Sequence, residues 1–481
     1  MTNFFTGYTL IYYISVSGAD RRGKEIFTAM RIVIVGAGKV GSTLAFQLVK
    51  EGHDVVVIDT NEERIKELQN MADIMTICGN GANEEILKEA EVDQSDILIA
   101  ATSADEVNML ACFVARHIGA AKTIARVRSP EYRNQLEMMK DELGLSMIVN
   151  PERSAAHEIS RILRFPSAND VEIFCRGQVE LVEYSIDGES PLCGLSLLEV
   201  YKKYKIKILV CAVRRGDEVA IPSGSFVLKA GDKINITASP KNIYDFFKAI
   251  GSFRAPVKSV MIIGGSMTAY YLASQLIDMG IKVKIIERDQ KRCEELAELL
   301  PKAAVACADA TEKDVLLEAG IMEFDGFVAL TGLDEMNIIY GMYAKAKNVS
   351  KVIAKIQHIT FREVIENSGI ESIISPKQIT AERISSYVRA VQNSFAQNKV
   401  ESLRTLVGGS VEALEFVVRD QSNFIGVPLK DLNIKKNTLI AAIVRHGSVI
   451  IPGGGDCIRF GDSVIVITAG MIIDELGDIM R

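Results

Sequence analysis

The stretch RIVIVGAGKVGSTLAFQL, residues Arg31–Leu48, decides the fold. Its opening apolar, mostly β-branched run reads as a buried strand. A glycine-rich turn follows, then apolar residues at three and four spacing, as on one face of a helix. Gly36, Gly38 and Gly41 match GxGxxG. The first glycine permits the tight turn, the second lets a pyrophosphate approach the backbone, and the third lets the helix pack close on the strand. Phosphate would sit at the helix N-terminus, where free N–H groups and the helix dipole favour negative charge. Asp59 closes the next strand, at about the 20-residue distance typical of such fingerprints. A carboxylate there accepts ribose hydroxyls and repels a 2′-phosphate. NAD(H) is therefore expected over NADP(H), with ATP or ADP as further adenosine nucleotides carrying a free ribose.

The chain offers this pattern twice. SVMIIGGSMTAYYLASQL, Ser259–Leu276, has the same shape with worn glycines. Gly36 falls on Gly264 and Asp59 on Glu287 at one spacing. With a shift of one residue, Cys78, Thr102, Asn108 and Arg126 fall on Cys307, Thr331, Asn337 and Lys355. Pro151 falls on Pro376, Pro222 on Pro452 and Asp232 on Asp462. The order is large, small, large, small. In the large blocks, short Val- and Ile-rich runs alternate with amphipathic helical stretches. Six such runs without internal alternation spell parallel strands buried on both faces. The small blocks are short runs broken by turn chemistry at Arg215-Gly216-Asp217 and Ala230-Gly231-Asp232. The expected fold class is α/β, with two Rossmann-like doubly wound parallel sheets, each followed by a small α+β unit. The expected organisation is an extension outside the fold at 1–29, Rossmann-like units at 30–150 and 257–375, and small units at 151–250 and 376–481. Each small unit opens with a bridging helix, PERSAAHEISRILRFP and PKQITAERISSYVRAV. Met30 reads as the natural start, and the apolar run before it makes a weak secretory signal.

In the second loop Gly264 is followed by Ser266 and Ala269 where the first has its second and third glycines. These small residues crowd the phosphates and the helix packing, while Glu287 keeps the ribose acid. This pocket either binds more weakly, or binds a different nucleotide, or survives to pair with the first. Arg64 and Arg292 follow the two acids at equal distance and either stack on an adenine or lie on the helix surface.

The 481 residues carry a net charge of −7, with 48% apolar and 24% charged residues. No lysine- and arginine-rich run interleaved with aromatics occurs, so nucleic acid is not expected as a partner. No segment reaches the ~18 apolar residues of a membrane span. The eight cysteines form no CxxC pair, which speaks for reduced thiols and against structural zinc, and no metal is expected. Neither GxxxxGK[ST] nor GxSxG is present. His53, His117, His157, His358 and His446 have no acid partner at a telling spacing, so no catalytic set is found.

These residues together, MRIVIVGAGKVGSTLA, VVVIDTNEERI, ADIMTICGNGANEEILKEA, DILIAATSADEVNMLAC and TIARVRSPEY, with a small β-rich module and the whole repeated, resemble the TrkA family. Its members are tandem RCK (regulator of K⁺ conductance) proteins, peripheral NAD-binding components of Trk potassium-uptake systems. The resemblance covers Met30 to Arg481. It implies a regulator rather than an enzyme: a homo-oligomer, dimer or tetramer ring, docked at the cytoplasmic face of an integral-membrane potassium channel or transporter. It also implies the residues that touch nucleotide. In the first half these are Gly36, Ala37, Gly38, Lys39 and Val40 of the loop, Asp59, Asn80, Thr102, Ser103 and Arg126. In the second they are Gly264, Gly265, Ser266, Met267, Thr268, Glu287, Asp309, Thr331, Gly332 and Lys355. Those positions are carboxyl ends of the expected parallel strands, where open α/β sheets bind ligands. The alternatives are an NAD-dependent oxidoreductase with an unrecognised acid or base, and an RCK regulator of a different cation transporter.

Overall fold

The computed structural model describes residues 29–481 except 72, 133–138, 217, 254, 358–369, 371, 396–399, 407–410, 420–423, 472, 474 and 481. The expected extension before Ala29, and His358, therefore lie outside the described residues. Strands β1 (Arg31–Val35), β2 (Asp54–Asp59), β3 (Met75–Cys78), β4 (Ile97–Ala100), β5 (Lys122–Arg126) and β6 (Met147–Val149) form one parallel sheet in the order β3-β2-β1-β4-β5-β6. Ile32, Ile34, Val55, Val57, Ile97 and Ile99 face one core layer. Val33, Val35, Val56, Ile58, Leu98 and Ala100 face the other. That is why these runs are apolar without alternation. Edge strand β3 departs from the expectation: Met75 is 51% exposed, at a sheet edge beyond which, among the described residues, no strand pairs.

Strands β7 (Asp170–Phe174), β8 (Val179–Ser185), β9 (Leu209–Arg215), β10 (Glu218–Ala220) and β11 (Lys233–Ala238) make an antiparallel sheet ordered β10-β9-β11-β8-β7. The second half repeats the plan. Strands β12 (Ser259–Ile263), β13 (Lys282–Glu287), β14 (Ala304–Cys307), β15 (Gly326–Ala329), β16 (Lys351–Lys355) and β17 (Ser372–Ile374) take the order β14-β13-β12-β15-β16-β17. Strands β18 (Val400–Leu406), β19 (Val411–Val417), β20 (Thr438–Arg445), β21 (Ser448–Ile450) and β22 (Ser463–Ala469) take the order β18-β19-β22-β20-β21. This is the first small sheet read from its other edge. Buried Asp232 holds Arg215 through two 2.7 Å bonds, and Asp462 holds Arg445 at 2.8 and 2.7 Å, so the repeated Gly-Asp turns are pinned alike. The small units differ in their helices. The first has Leu197–Tyr204, opened by a Ser196–Glu199 capping box, and Pro240–Ala249. Among the described residues the second has only 3₁₀ turns after β19, Leu429–Asp431 and Leu476–Ile479.

The bridging helices cross over. Asn150 caps Pro151–Arg164 through the Arg153 N–H, with Pro151 at the first helical position. This helix buries Ala155, Ala156, Ile159, Ile162 and Leu163 against Val260, Ile262 and Leu272 of the second half. Helix Pro376–Phe395 buries Ala381, Ile384, Val388 and Val391 against Ile32, Ile34, Leu44 and Leu48 of the first. Each bridging helix thus completes the core of the other half, and each large side chain so buried contributes about 1.5–3 kcal/mol. The two small sheets also share a core, in which Phe174, Val179 and Leu181 meet Ala413, Ile465 and Ile467. Arg389, on the second bridging helix, ties Glu51 at 3.0 Å to Glu412 at 2.6 Å. Among the described residues no helix is long and apolar enough to cross a membrane.

Candidate functional site

Both glycine loops leave a central strand at its carboxyl end. Gly36 has φ +107° and hands its N–H to the Ile58 carbonyl at 2.7 Å, which pins the turn between β1 and β2. A Cβ on Gly41 would stand 1.8 Å from the Gly36 carbonyl oxygen, so the helix Lys39–Lys50 can start this close to the strand only with glycine there. A Cβ on Gly38 would meet nothing within 4 Å. Gly38 is the N-cap and no side chain caps it, so the first helical N–H groups receive no acceptor from the cap. Asp59, only 9% exposed, accepts the Ala37 N–H at 2.6 Å and the Asn61 N–H at 2.8 Å. A carboxylate has about four lone-pair sites, so acceptor capacity remains for two ribose hydroxyls. Arg64 stands 3.9 Å from Asp59 and is largely exposed. An uncapped helix start over an open glycine and a fixed carboxylate fit an adenine dinucleotide.

The second loop is built to the same plan and closed differently. Gly264, at φ +95°, donates to the Ile286 carbonyl at 2.8 Å, and Glu287 accepts the Gly265 N–H. The Ser266 hydroxyl accepts the Ala269 N–H at 3.4 Å and caps helix Met267–Asp278, filling the place left open at Gly38. Arg292 donates its Nε to the Gly265 carbonyl at 2.7 Å and lies over Met267. Arg64 and Arg292 therefore differ: the first is a surface residue beside the acid, the second a strap on the loop. The crowding expected from Ser266 and Ala269 thus takes the form of a self-capped helix.

The loops after β4 and β15 are braced identically. Asn108 accepts from the Thr102 N–H (2.8 Å) and hydroxyl (2.7 Å), and donates to the Arg126 carbonyl at 2.8 Å. Asn337 does the same for Thr331 and the Lys355 carbonyl, at 2.9, 2.7 and 2.8 Å. Asp105 accepts the Arg128 and Ser129 N–H groups, and Asp334 accepts that of Gln357. The repeat reveals the asparagines as a matched pair, but their bracing role is visible only in three dimensions. The strand-five cations diverge. Arg126 donates to the Thr102 carbonyl at 3.2 Å and pairs with Glu152 at 3.3 Å. Lys355 donates to the Leu330 carbonyl at 3.3 Å, and Lys377 takes the place of Glu152 next to Pro376. Burial holds both Arg126 and Lys355 below their ordinary pKa.

The remaining expected residues fall around these loops. Asn80 folds back on its own turn, its side chain accepting the Ala82 N–H at 3.0 Å, beside a Gly81 pressed against Val35. Asp309 accepts from Thr311, which holds its carboxyl below the usual range. Ser103 offers its carbonyl to Arg128. Val40 and Thr268 have buried side chains, so at these positions the backbone is what remains for a ligand. Gly332 is exposed with open space at its Cα. Lys39 points away from its own loop and donates to Gln357 of the other half at 2.8 Å. Tyr271, on the second loop's helix, donates to the Arg128 carbonyl at 2.7 Å and accepts from Asn150 at 3.2 Å. Each glycine-loop helix therefore touches the strand ends of the opposite sheet. Of the histidines, buried His53 accepts the Met30 N–H, His117 stacks on Phe113, and His446 forms the left-handed corner of the β20–β21 hairpin.

Fold and site together define a tandem Rossmann-type protein, each parallel unit carrying a small antiparallel partner. The TrkA-N domain matches residues 32–151 and 260–376, and the TrkA-C domain matches 181–251 and 413–481. The chain belongs to the TrkA family. It is similar to the Trk system potassium uptake protein TrkA homolog 1 of Methanosarcina mazei, with 33% identity over 93% of this chain and 99% of that protein. The Trk system potassium uptake protein TrkA of Vibrio alginolyticus is 32% identical over 91% of this chain and 95% of its own. Among solved structures, the GsuK channel bound to NAD shares the fold, with a TM-score of 0.61 and 17% identity, covering 93% of this chain and 79% of that one.

Proposed function

We infer that this chain is a nucleotide-sensing regulatory subunit, of RCK type, for a Trk-type potassium transport system. Family membership supports the potassium role, and the names of the relatives point to uptake of that ion. We read 30–150 and 257–375 as the nucleotide-binding domains, and 151–250 and 376–481 as the small domains. NAD(H) is the ligand proposed for the first loop, with Gly36–Val40 receiving the pyrophosphate and Asp59 the ribose. Asn80, Thr102, Ser103 and Arg126 would line the rest. The self-capped second loop, Gly264–Thr268 with Glu287, Asp309, Thr331, Gly332 and Lys355, is proposed to bind more weakly or to prefer ADP or ATP.

One observation carries this reading. Each loop's helix is bonded to the opposite sheet's strand ends, through Lys39–Gln357 and Tyr271–Arg128, so a ligand in one loop presses on the seam between the halves. A ligand favouring one seam geometry about 100-fold supplies about 2.7 kcal/mol per site, enough to shift a conformational balance without chemistry. The proposed client is an integral-membrane potassium channel or transporter, met at the inner face of the membrane by a homo-oligomeric ring of these chains. Titration calorimetry with NADH, NAD⁺, ADP and ATP tests the reading. Micromolar binding without turnover is expected, and sustained turnover of NADH would favour the oxidoreductase alternative.

A further inference from the structure

The second half carries a feature that its repeat lacks. Cys307 ends β14 in register with Glu287, and its exposed Sγ lies 3.9 Å from the Arg288 carbonyl. Cys293, on helix Gln290–Leu299, is 6% exposed, and its Sγ donates to the Glu287 carbonyl at 3.3 Å. The two thiols thus sit on consecutive carbonyls of one turn. In the first half Cys78 keeps the outer position, 3.9 Å from the Thr60 carbonyl. The inner position there is Ile65, as deeply buried at 6%. One core isoleucine exchanged for cysteine is what turns a single thiol into a pair, directly beneath the acid that braces the second loop.

We propose that Cys293 and Cys307 form a reversible dithiol switch on the second loop, oxidised to a disulfide by low-molecular-weight disulfides and lowering that loop's nucleotide affinity. Cys307 is the exposed member and attacks first: its thiolate displaces one thiolate from the small disulfide and leaves a mixed disulfide on Cys307. Cys293 then attacks the Cys307 sulfur, releases the second small thiol and gives up its proton to it. Two protein thiols are oxidised and one small disulfide is reduced to two thiols. Burial, helped by the Cys307 neighbour, pushes the Cys293 thiol up to about 12, which suits a resolving thiol rather than an initiating one. The new bond draws helix Gln290–Leu299 toward β14 and removes the thiol from the Glu287 carbonyl. That helix also carries Arg292, the strap on Gly265, so the loop moves with it.

The effect on affinity rests on the second loop being a nucleotide site, while the bond itself does not. The full-length protein is treated with oxidised glutathione, mapped by non-reducing peptide mass spectrometry, then titrated with NADH and ADP. The expected result is a 293–307 disulfide reversed by dithiothreitol, with about a tenfold loss of affinity in the weaker binding step and none in the tighter. Cys293→Ile, which restores the first half's residue, should abolish both and leave only a mixed disulfide on Cys307. A map without the 293–307 bond overturns the switch, as does a fully formed bond with unchanged weaker-step affinity. A reduced protein that takes only one nucleotide per chain overturns the nucleotide reading of the second loop, and with it the affinity effect.

Discussion

Gly38 and Gly41 lie in one loop, yet substituting them should have opposite consequences. Alanine at Gly38 meets open space, so stability should change by less than about 0.5 kcal/mol while NADH affinity falls steeply. Alanine at Gly41 collides with the Gly36 carbonyl and should cost about 1–3 kcal/mol in thermal unfolding. Ser266→Gly removes the self-cap at a few tenths of a kcal/mol and should tighten binding at the second loop, read by calorimetry. Asp59→Ala should abolish tight binding and also cost about 1–3 kcal/mol, because the Ala37 and Asn61 N–H groups lose their acceptor. His53 sets a pH dependence. Burial, with help from Arg389 and against Glu51 and Asp96, holds its pKa below 6.5. In the window between that lowered value and 6.5 the unfolded chain binds the extra proton, so stability falls as pH falls through it. Denaturant melts of His53→Gln across this window should show a shallower slope and not a flat one, because burial, with Arg161 beside it, holds the His157 pKa down as well. The glycines and acids of the site are legible in the sequence because their spacing is local. The Ser266 cap, the asparagine braces and the reach of Lys39 to Gln357 depend on which loops the fold brings together, and spacing does not encode that.

At the scale of elements, the strands are legible wherever both faces are covered, as in IVIV and DVVVID. Among the described residues, β3 and its counterpart β14, each at one edge of its sheet, depart furthest from double burial. The bridging helices are legible as helices too, since Asn150, Pro151 and the apolar stripe announce one of them. Their destination is not: an amphipathic face records that it is buried but not against which half. This has a measurable consequence. Ile159→Ala, a change in the first bridging helix, should cost about 2–4 kcal/mol, with the loss of hydrogen-exchange protection centred on β12 and β13 of the second half. Arg389→Ala should cost about 3–5 kcal/mol, because Glu51 and Glu412 would be left partly buried without their shared cation.

For the whole molecule, the crossed helices and the shared core of the small sheets predict one cooperative unfolding transition rather than two. Scanning calorimetry should show a single peak, and two resolved peaks would mean that the halves are energetically separate. The duplication itself is legible from sequence, but its interlocking is not, and the interlocking is what makes each half incomplete alone. The exchange of helices also bears on descent. Two identical separate chains could swap these helices just as well, but every change in one glycine loop would then appear in the other. Joining them through residues 250–257 keeps the embrace while releasing that bond of inheritance. One copy carries Gly38 and Ile65 where its twin carries Ser266 and Cys293, a difference that two identical chains could not hold.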